Sequence, residues 1–325
     1  MPKPTNNAPK IRSIQLRNRI MPSRIAPAEK NSATSANHTM CAADDHEMPL
    51  RFADDASCDL LGLSNRNEQI MALKIVRRLL PDWGTTYGPP GDGPFPAVMI
   101  FHGSEGAWSG WSHRNAVLLA AHGFLAFPFG YSQGGNAWNA GSIINVALDR
   151  SVDALRALRA FPYSDQKVGF YGVSRGGEHA LLLASLMARD GMNGLPDAIA
   201  AHSPADVICG GFDARRYRDA GDPGWQSWDP GDRAWSWRGS SDQLLPTSPI
   251  EIERYTGPLF LSHGTADRVW SVEMTKRLVE RLKRHGRNPE VHYYEGQDHI
   301  PGSAAENDHH DHLIAFFERT LTTLA

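Results

Sequence analysis

The sequence predicts an α/β fold built on a mostly parallel, doubly wound sheet with helices on both faces. Two observations carry this. From Ile70 onward, short apolar runs alternate with segments of helical period. One of those runs, Pro96–His102, is apolar without interruption up to its closing histidine, the pattern of a strand covered on both faces. No fixed-period repeat is visible, which excludes a solenoid or propeller.

The elements follow in order. Leu73–Leu80 reads as strand, Pro96–His102 as a buried strand, Asn115–His122 as helix and Phe124–Phe129 as strand. Ile143–Ala160 reads as one helix, with Val146, Leu148, Val152, Leu155 and Leu158 on its apolar face. Lys167–Tyr171 is a strand, Arg175–Arg189 a helix and Ala198–Ser203 a strand. Residues 206–248 read as an irregular, Trp-rich, cap-like insertion. A strand at Pro258–His263, a helix at Val272–His285, a strand at Glu290–Tyr294 and a last helix from about Ala304 complete the chain. Residues 1–68 mix Pro, Asn, Ser and charge without a sustained apolar period and read as an irregular, poorly ordered extension, so the catalytic body is expected over 69–325.

Composition narrows the function classes. The chain has 325 residues, 41% of them hydrophobic, and a net charge of −3 from 33 Lys+Arg against 36 Asp+Glu. It is neither disordered by composition nor basic enough to need a polyanion, so nucleic acid is not the expected partner. No run approaches the ~18 apolar residues of a membrane span. Basic residues near the start are followed by no apolar stretch, so no secretory signal is read and a cytoplasmic location is expected. Cys41, Cys58 and Cys209 are too few and too scattered for a disulfide framework or a zinc pattern.

The chemistry concentrates at Gly172-Val173-Ser174-Arg175-Gly176, a G-x-S-x-G sequence placed just after a buried strand and just before an apolar helix. Small residues two before and two after the serine allow a sharp strand-to-helix turn that holds the hydroxyl above the sheet. A serine hydroxyl needs an oriented imidazole to become a nucleophile. Asp267 lies just past the next-to-last strand and His299 just past the last, in the order Ser, Asp, His. Asp298 is the rival acid, but an immediate neighbour seldom reaches the far nitrogen of the same ring. A tetrahedral intermediate needs donors aimed at its oxyanion. The backbone N–H of Arg175 and that of Ser104 or Glu105, in the glycine-flanked segment after Pro96–His102, are the candidates.

Other residues offer weaker signals. Trp225, Trp228, Trp235 and Trp237 in the insertion are candidate walls of an acyl pocket. Arg215, Arg216 and Arg218 are candidate contacts for a phosphate of CoA, with solvated surface charge the alternative. His309, His310 and His312 in NDHHDH read as a solvated helix face rather than a metal site, and neither metal nor organic cofactor is expected.

Over residues 70–325 the sequence resembles the α/β-hydrolases. Within them, GVSRGGEHALLLASL, AIAAHSPADVICGGF, WSWRG, the segment SPIEIERYTGPLFLSHGTADRVW and EVHYYEGQDHIPG resemble in order the C-terminal catalytic domain of acyl-CoA thioesterases and bile acid-CoA:amino acid N-acyltransferases. Ser174-Arg175-Gly176-Gly177-Glu178 is the most telling element, and dienelactone hydrolases are the next nearest group. The resemblance implies Ser174 as nucleophile, Asp267 as orienting acid and His299 as base. It also implies an acyl ester or thioester as substrate, with carboxylesterase or dienelactone-type hydrolysis, or transfer to an amine or alcohol, as alternatives. A ligand receptor on a retired hydrolase fold is disfavoured because all three triad candidates are present. The sequence departs from the thioesterases in two ways: its 68 irregular leading residues are too few for their N-terminal β-sandwich, and the oxyanion segment HGSEGAW opens on a histidine.

Overall fold

In chain order the elements are β1 (Val76–Leu80), β2 (Gly84–Gly88), β3 (Phe95–Phe101), α1 (Gly110–Ala121), β4 (Leu125–Phe129), β5 (Ser142–Ile143), β6 (Val146–Ala147), α2 (Asp149–Ala160), β7 (Ser164–Val173), α3 (Arg175–Arg189), β8 (Ala198–His202), β9 (Gly210–Asp213), β10 (Asp229–Arg233), β11 (Trp235–Ser236), β12 (Leu259–Gly264), α4 (Glu273–Arg284), β13 (Glu290–Tyr294) and α5 (Ser303–Phe317). This computed structural model describes residues 73–136, 139–216 and 228–322, so the extension read over 1–68 lies outside the described residues. The main sheet has eight strands in the order β1-β2-β4-β3-β7-β8-β12-β13. Only β2 runs against its neighbours; from β4 to β13 every pairing is parallel.

Strand β3 shows why the sheet is covered on both faces. Ala97, Met99 and Phe101 join the apolar cluster that also holds Leu155, Leu181 and Leu278 of α2, α3 and α4. Val98 and Ile100, alternating with them, join the other cluster with Leu119 of α1 and Phe317 of α5. The period of two sends successive side chains to opposite faces, and an uninterrupted apolar run satisfies both.

Strand β2 is not among the elements read from the sequence, α1 begins five residues before the expected Asn115, and three further parts differ from the sequence expectation. The helix expected from Ile143 begins at Asp149, because the N–H groups of Asn145, Val146 and Leu148 donate to the carbonyls of Arg233, Ala234 and Ser236. Val146 and Leu148 are therefore buried from a strand and a turn, where apolar spacing alone mimics a helix. The stretch 206–248 is not wholly irregular: β9 and β10 form a small sheet with β5, and β11 pairs with β6. His309 is 3% exposed rather than solvated, with its Nε2 2.9 Å from the Tyr171 hydroxyl.

Four buried histidines make the fold acid-sensitive. Burial pushes His102 down to about 4 and His202 to about 3, and holds His179 and His309 far below the ordinary value. Each is neutral when folded and takes up a proton when unfolded below about pH 6.5. Their contribution is therefore complete above that pH and is lost as the pH falls toward the folded values. Each ring contributes up to about 1.4 kcal/mol per pH unit, and because the unfolded ring is only half protonated at about pH 6.5, four rings remove roughly 6 kcal/mol between pH 6.5 and 5, against a total stability of about 5–15 kcal/mol. Urea midpoints at pH 7 and pH 5 should differ sharply; equal midpoints would show that these rings are not buried neutral.

Candidate active site

Ser174 sits at the turn from β7 into α3 with φ 56° and ψ −122°, a conformation that lifts its side chain out of the sheet. Close packing compels the small neighbours. A Cβ on Gly172 would lie 2.2 Å from the carbonyl of Gly176, and one on Gly176 would lie 2.0 Å from the carbonyl oxygen of Phe101. The turn is pinned from both sides: the Ser174 N–H donates to the His202 carbonyl (2.9 Å), and its carbonyl accepts from Glu178 N–H (3.0 Å).

His299 lies on the loop between β13 and α5. Its Nδ1 is 2.7 Å from Asp267 Oδ2. An ionised carboxylate only accepts, so Nδ1 carries the hydrogen and the unprotonated nitrogen of the neutral ring is Nε2. Asp267, whose side chain is fully buried, is saturated with donors. Oδ1 accepts the N–H groups of Val269 and Trp270 (2.8 Å each), and Oδ2 faces His263 Nε2 at 3.1 Å as well as His299. Burial raises this carboxyl, but the bonds from His263, His299 and Trp270 together hold it well below the usual carboxylate range. Asp298 is engaged elsewhere, accepting from the Arg268 side chain and from the N–H groups of Arg268 and His299.

His263 is the residue the sequence did not single out. Its Nδ1 lies 2.8 Å from Thr275 Oγ1 and its Nε2 2.8 Å from the Trp270 carbonyl. The carbonyl accepts, so Nε2 carries the hydrogen and Nδ1 accepts from the threonine hydroxyl. This fixes the tautomer that presents N–H to Asp267, so the acid is oriented by one histidine as it orients another. The available signal was position: the ring ends the same strand that delivers Asp267.

Ser174 and His299 open onto one cavity of about 680 Å³ whose walls include Val173, Phe212, Val269, Trp270 and Ile300. Ser104 and Glu105, in the loop after β3, line it as well. The leading histidine of that loop is a brace: His102 Nδ1 donates to the Gly103 carbonyl (2.7 Å), while Nε2 faces the N–H groups of Tyr131 and Ser132 (3.3 Å each). Arg175 N–H belongs to the first turn of α3, where N–H groups have no intrahelical acceptor.

The described tryptophans of the insertion do not line the cavity. Trp235 is fully buried, with its indole N–H bonded to Glu178 (2.8 Å), and Trp237 donates to Asp190 (2.8 Å); neither lines the cavity. Trp228 packs against Cys209 and Trp270, and Trp225 lies outside the described residues. Trp270 and Phe212 supply the aromatic wall instead. Arg215 is bound to Asp213 through Nε (3.0 Å) and Nη2 (2.7 Å); Arg218 and the side chain of Arg216 lie outside the described residues. Among the described residues, no group of three or more His, Cys, Asp or Glu is placed to hold a metal ion, and no helix is long and apolar enough to cross a membrane.

Comparison with known proteins agrees with this architecture. The chain is similar to acyl-coenzyme A thioesterase 6 of Mus musculus, 26% identical over 226 residues that cover 66% of this chain and 51% of that protein. It is likewise 26% identical to acyl-coenzyme A amino acid N-acyltransferase 2 of Rattus norvegicus over 231 residues, 67% and 51% of the two chains. It thus spans about half the length of the curated relatives it matches. Among solved structures, a putative dienelactone hydrolase from Klebsiella pneumoniae subsp. pneumoniae MGH 78578 superposes with a TM-score of 0.54 at 16% identity, over 76% of this chain and 99% of that one. MGS-M1, an α/β hydrolase from a Medee basin deep-sea metagenome library, gives 0.51 at 17% identity over 77% and 99%. These two likenesses establish the fold. Residues 145–323 match the prolyl oligopeptidase family, and as they are more than half of the sequence, the chain belongs to that family and carries the α/β-hydrolase fold.

Proposed function

We propose that this chain is a serine hydrolase that cleaves carboxylic esters or thioesters through an acyl-enzyme on Ser174. One observation carries the reading: a serine held at φ 56° on a strand-to-helix turn shares a cavity with a histidine whose far nitrogen is bonded to a buried aspartate. In this mechanism His299 Nε2 takes the proton as Ser174 Oγ attacks the carbonyl carbon. Asp267 keeps the ring in the correct tautomer and stabilises the imidazolium that forms. The N–H of Arg175, with that of Ser104, meets the developing oxyanion. His299 then protonates the leaving group, and water, activated by the same ring, releases the acid. No step calls on a metal or organic cofactor. The mostly apolar walls suit an acyl chain.

The similarity to proteins named for acyl-coenzyme A supports thioesters as the first substrates to try, and the similarity to an N-acyltransferase supports a second reading in which an amine replaces water. The test is parallel turnover of an acyl-CoA series, read by free thiol, and a p-nitrophenyl ester series of matching chain length, each with and without amino acid acceptors. We expect hydrolysis with a higher kcat/KM for the thioesters and no gain from acceptors. Preference for the simple esters would make the chain a carboxylesterase, amide product would favour transfer, and no turnover in either series would overturn the hydrolase reading.

A further inference from the structure

We propose that Glu105 is a charge filter in the catalytic cavity: it admits acyl groups that are neutral or cationic along the chain and rejects those that carry a second carboxylate into the cavity. The inference rests on the hydrolase reading and names the class of substrate that site takes.

Glu105 exposes its side chain to the cavity that holds Ser174 and His299. The carboxylate is tethered, since Oε1 accepts the N–H of Gly103 at 2.8 Å and lies 3.4 Å from the Ser109 hydroxyl. No lysine or arginine among the described residues pairs with it. Arg268 is the only arginine or lysine among the described residues that line the cavity, and it is bound to Asp298. Among the described residues, much of the remaining wall is apolar and supplies no further cation to an anionic acyl group. A tethered carboxylate in the cavity of Ser174 therefore repels a second negative charge brought in on the acyl group, and at the dielectric of a solvent-accessible cleft such a pair discriminates by roughly ten- to a hundredfold.

The filter is compatible with CoA thioesters of neutral acids. The pantetheine arm holds the phosphates away from the thioester, and the charge that meets Glu105 is the one on the acyl group. Monothioesters and monoesters of dicarboxylic acids are the substrates it excludes. Protein packed around the loop pushes the Glu105 carboxyl above its ordinary value, while the Gly103 N–H, its own N–H, the Ser109 hydroxyl and the charge on His299 pull it back. Measurements are made at pH 8, the side of neutrality that favours the carboxylate.

The experiment uses the full chain and Glu105→Gln, in which an amide oxygen still accepts from Gly103. Three esters differ only in terminal charge: p-nitrophenyl hexanoate, mono-p-nitrophenyl adipate and p-nitrophenyl 6-(trimethylammonio)hexanoate. In the wild type, kcat/KM for the anionic ester should fall at least ~10-fold below that of the neutral one, and the variant should shrink this penalty at least ~5-fold. A penalty of the same size in both proteins overturns the proposal. Calorimetric binding of hexanoate and hexyltrimethylammonium needs no turnover and should show the wild type preferring the cation and the variant losing that preference. If no ester is hydrolysed, the serine-hydrolase reading fails while the binding arm still decides the filter; equal affinity for both ions in the wild type, or a preference the variant retains, overturns it.

Discussion

Ser174→Ala is expected to lower kcat/KM by about 10⁴-fold or more while leaving the melting temperature within about 2 °C. The two effects separate because the side chain and the backbone of this residue do different work. In the proposed mechanism the hydroxyl supplies the atom that forms the acyl-enzyme, and no other group has that role. The backbone supplies the bonds that hold the turn, from Ser174 N–H to His202 and from Glu178 N–H to Ser174, and alanine keeps both. The positive φ is no worse for alanine than for serine, so strain is unchanged. What survives should be the small acceleration due to the backbone donors and substrate positioning alone. Ester turnover and a thermal melt on the same preparation check both halves. A fully active variant would remove Ser174 from the mechanism, and a melt lowered by more than about 5 °C would give it a structural role.

Local and nearest-neighbour physics explains what was legible in the sequence. An apolar run with no polar break signals a strand covered on both sides, and β3 and β4 are such strands. Ser174, Asp267 and His299 were legible by position, because each follows a strand, and a doubly wound parallel sheet brings strand ends together at one edge. Direction was not legible. Trp235 and Trp237 looked like pocket walls by composition, but nothing local says that one indole turns inward to Glu178 and the other to Asp190. The false start of α2 has the same origin: pairing of β6 with β11, 89 residues away between Val146 and Trp235, is a long-range event that apolar spacing does not register. His263 was hidden because its role is a hydrogen-bond geometry around Asp267 rather than a motif.

Glu178→Ala is expected to cost about 3–5 kcal/mol of stability, a fall in melting temperature of roughly 10 °C. Glu178 and Arg175 both have fully buried side chains, with Arg175 Nη1 2.9 Å from Oε2. Oε1 accepts two further donors, the N–H of Cys209 (2.7 Å) and the indole of Trp235 (2.8 Å). Arg175 Nη2 meanwhile donates to the Gly210 carbonyl at 2.6 Å, and the guanidinium lies 6.0 Å from the centre of the Trp270 ring. Removing the carboxylate strands one buried cation and two buried N–H groups, a much larger penalty than the net worth of the intact pair. Burial opposes the charge on Arg175, and Glu178 is the first of the partners that hold it ionised. The double variant Arg175→Met/Glu178→Leu removes both charges and should recover part of the loss, which a cycle of denaturant midpoints would measure. A single variant within about 1 kcal/mol of wild type would show that the network contributes little. The network also ties the candidate site together: Arg175 reaches Gly210 of β9 and lies over Trp270 while its partner Glu178 holds Trp235, so one buried ion pair joins the turn at Ser174 to β9, β11 and the aromatic wall of the cavity. A glutamate four residues beyond Ser174 is thus required by the packing of the site, although it does not line the cavity.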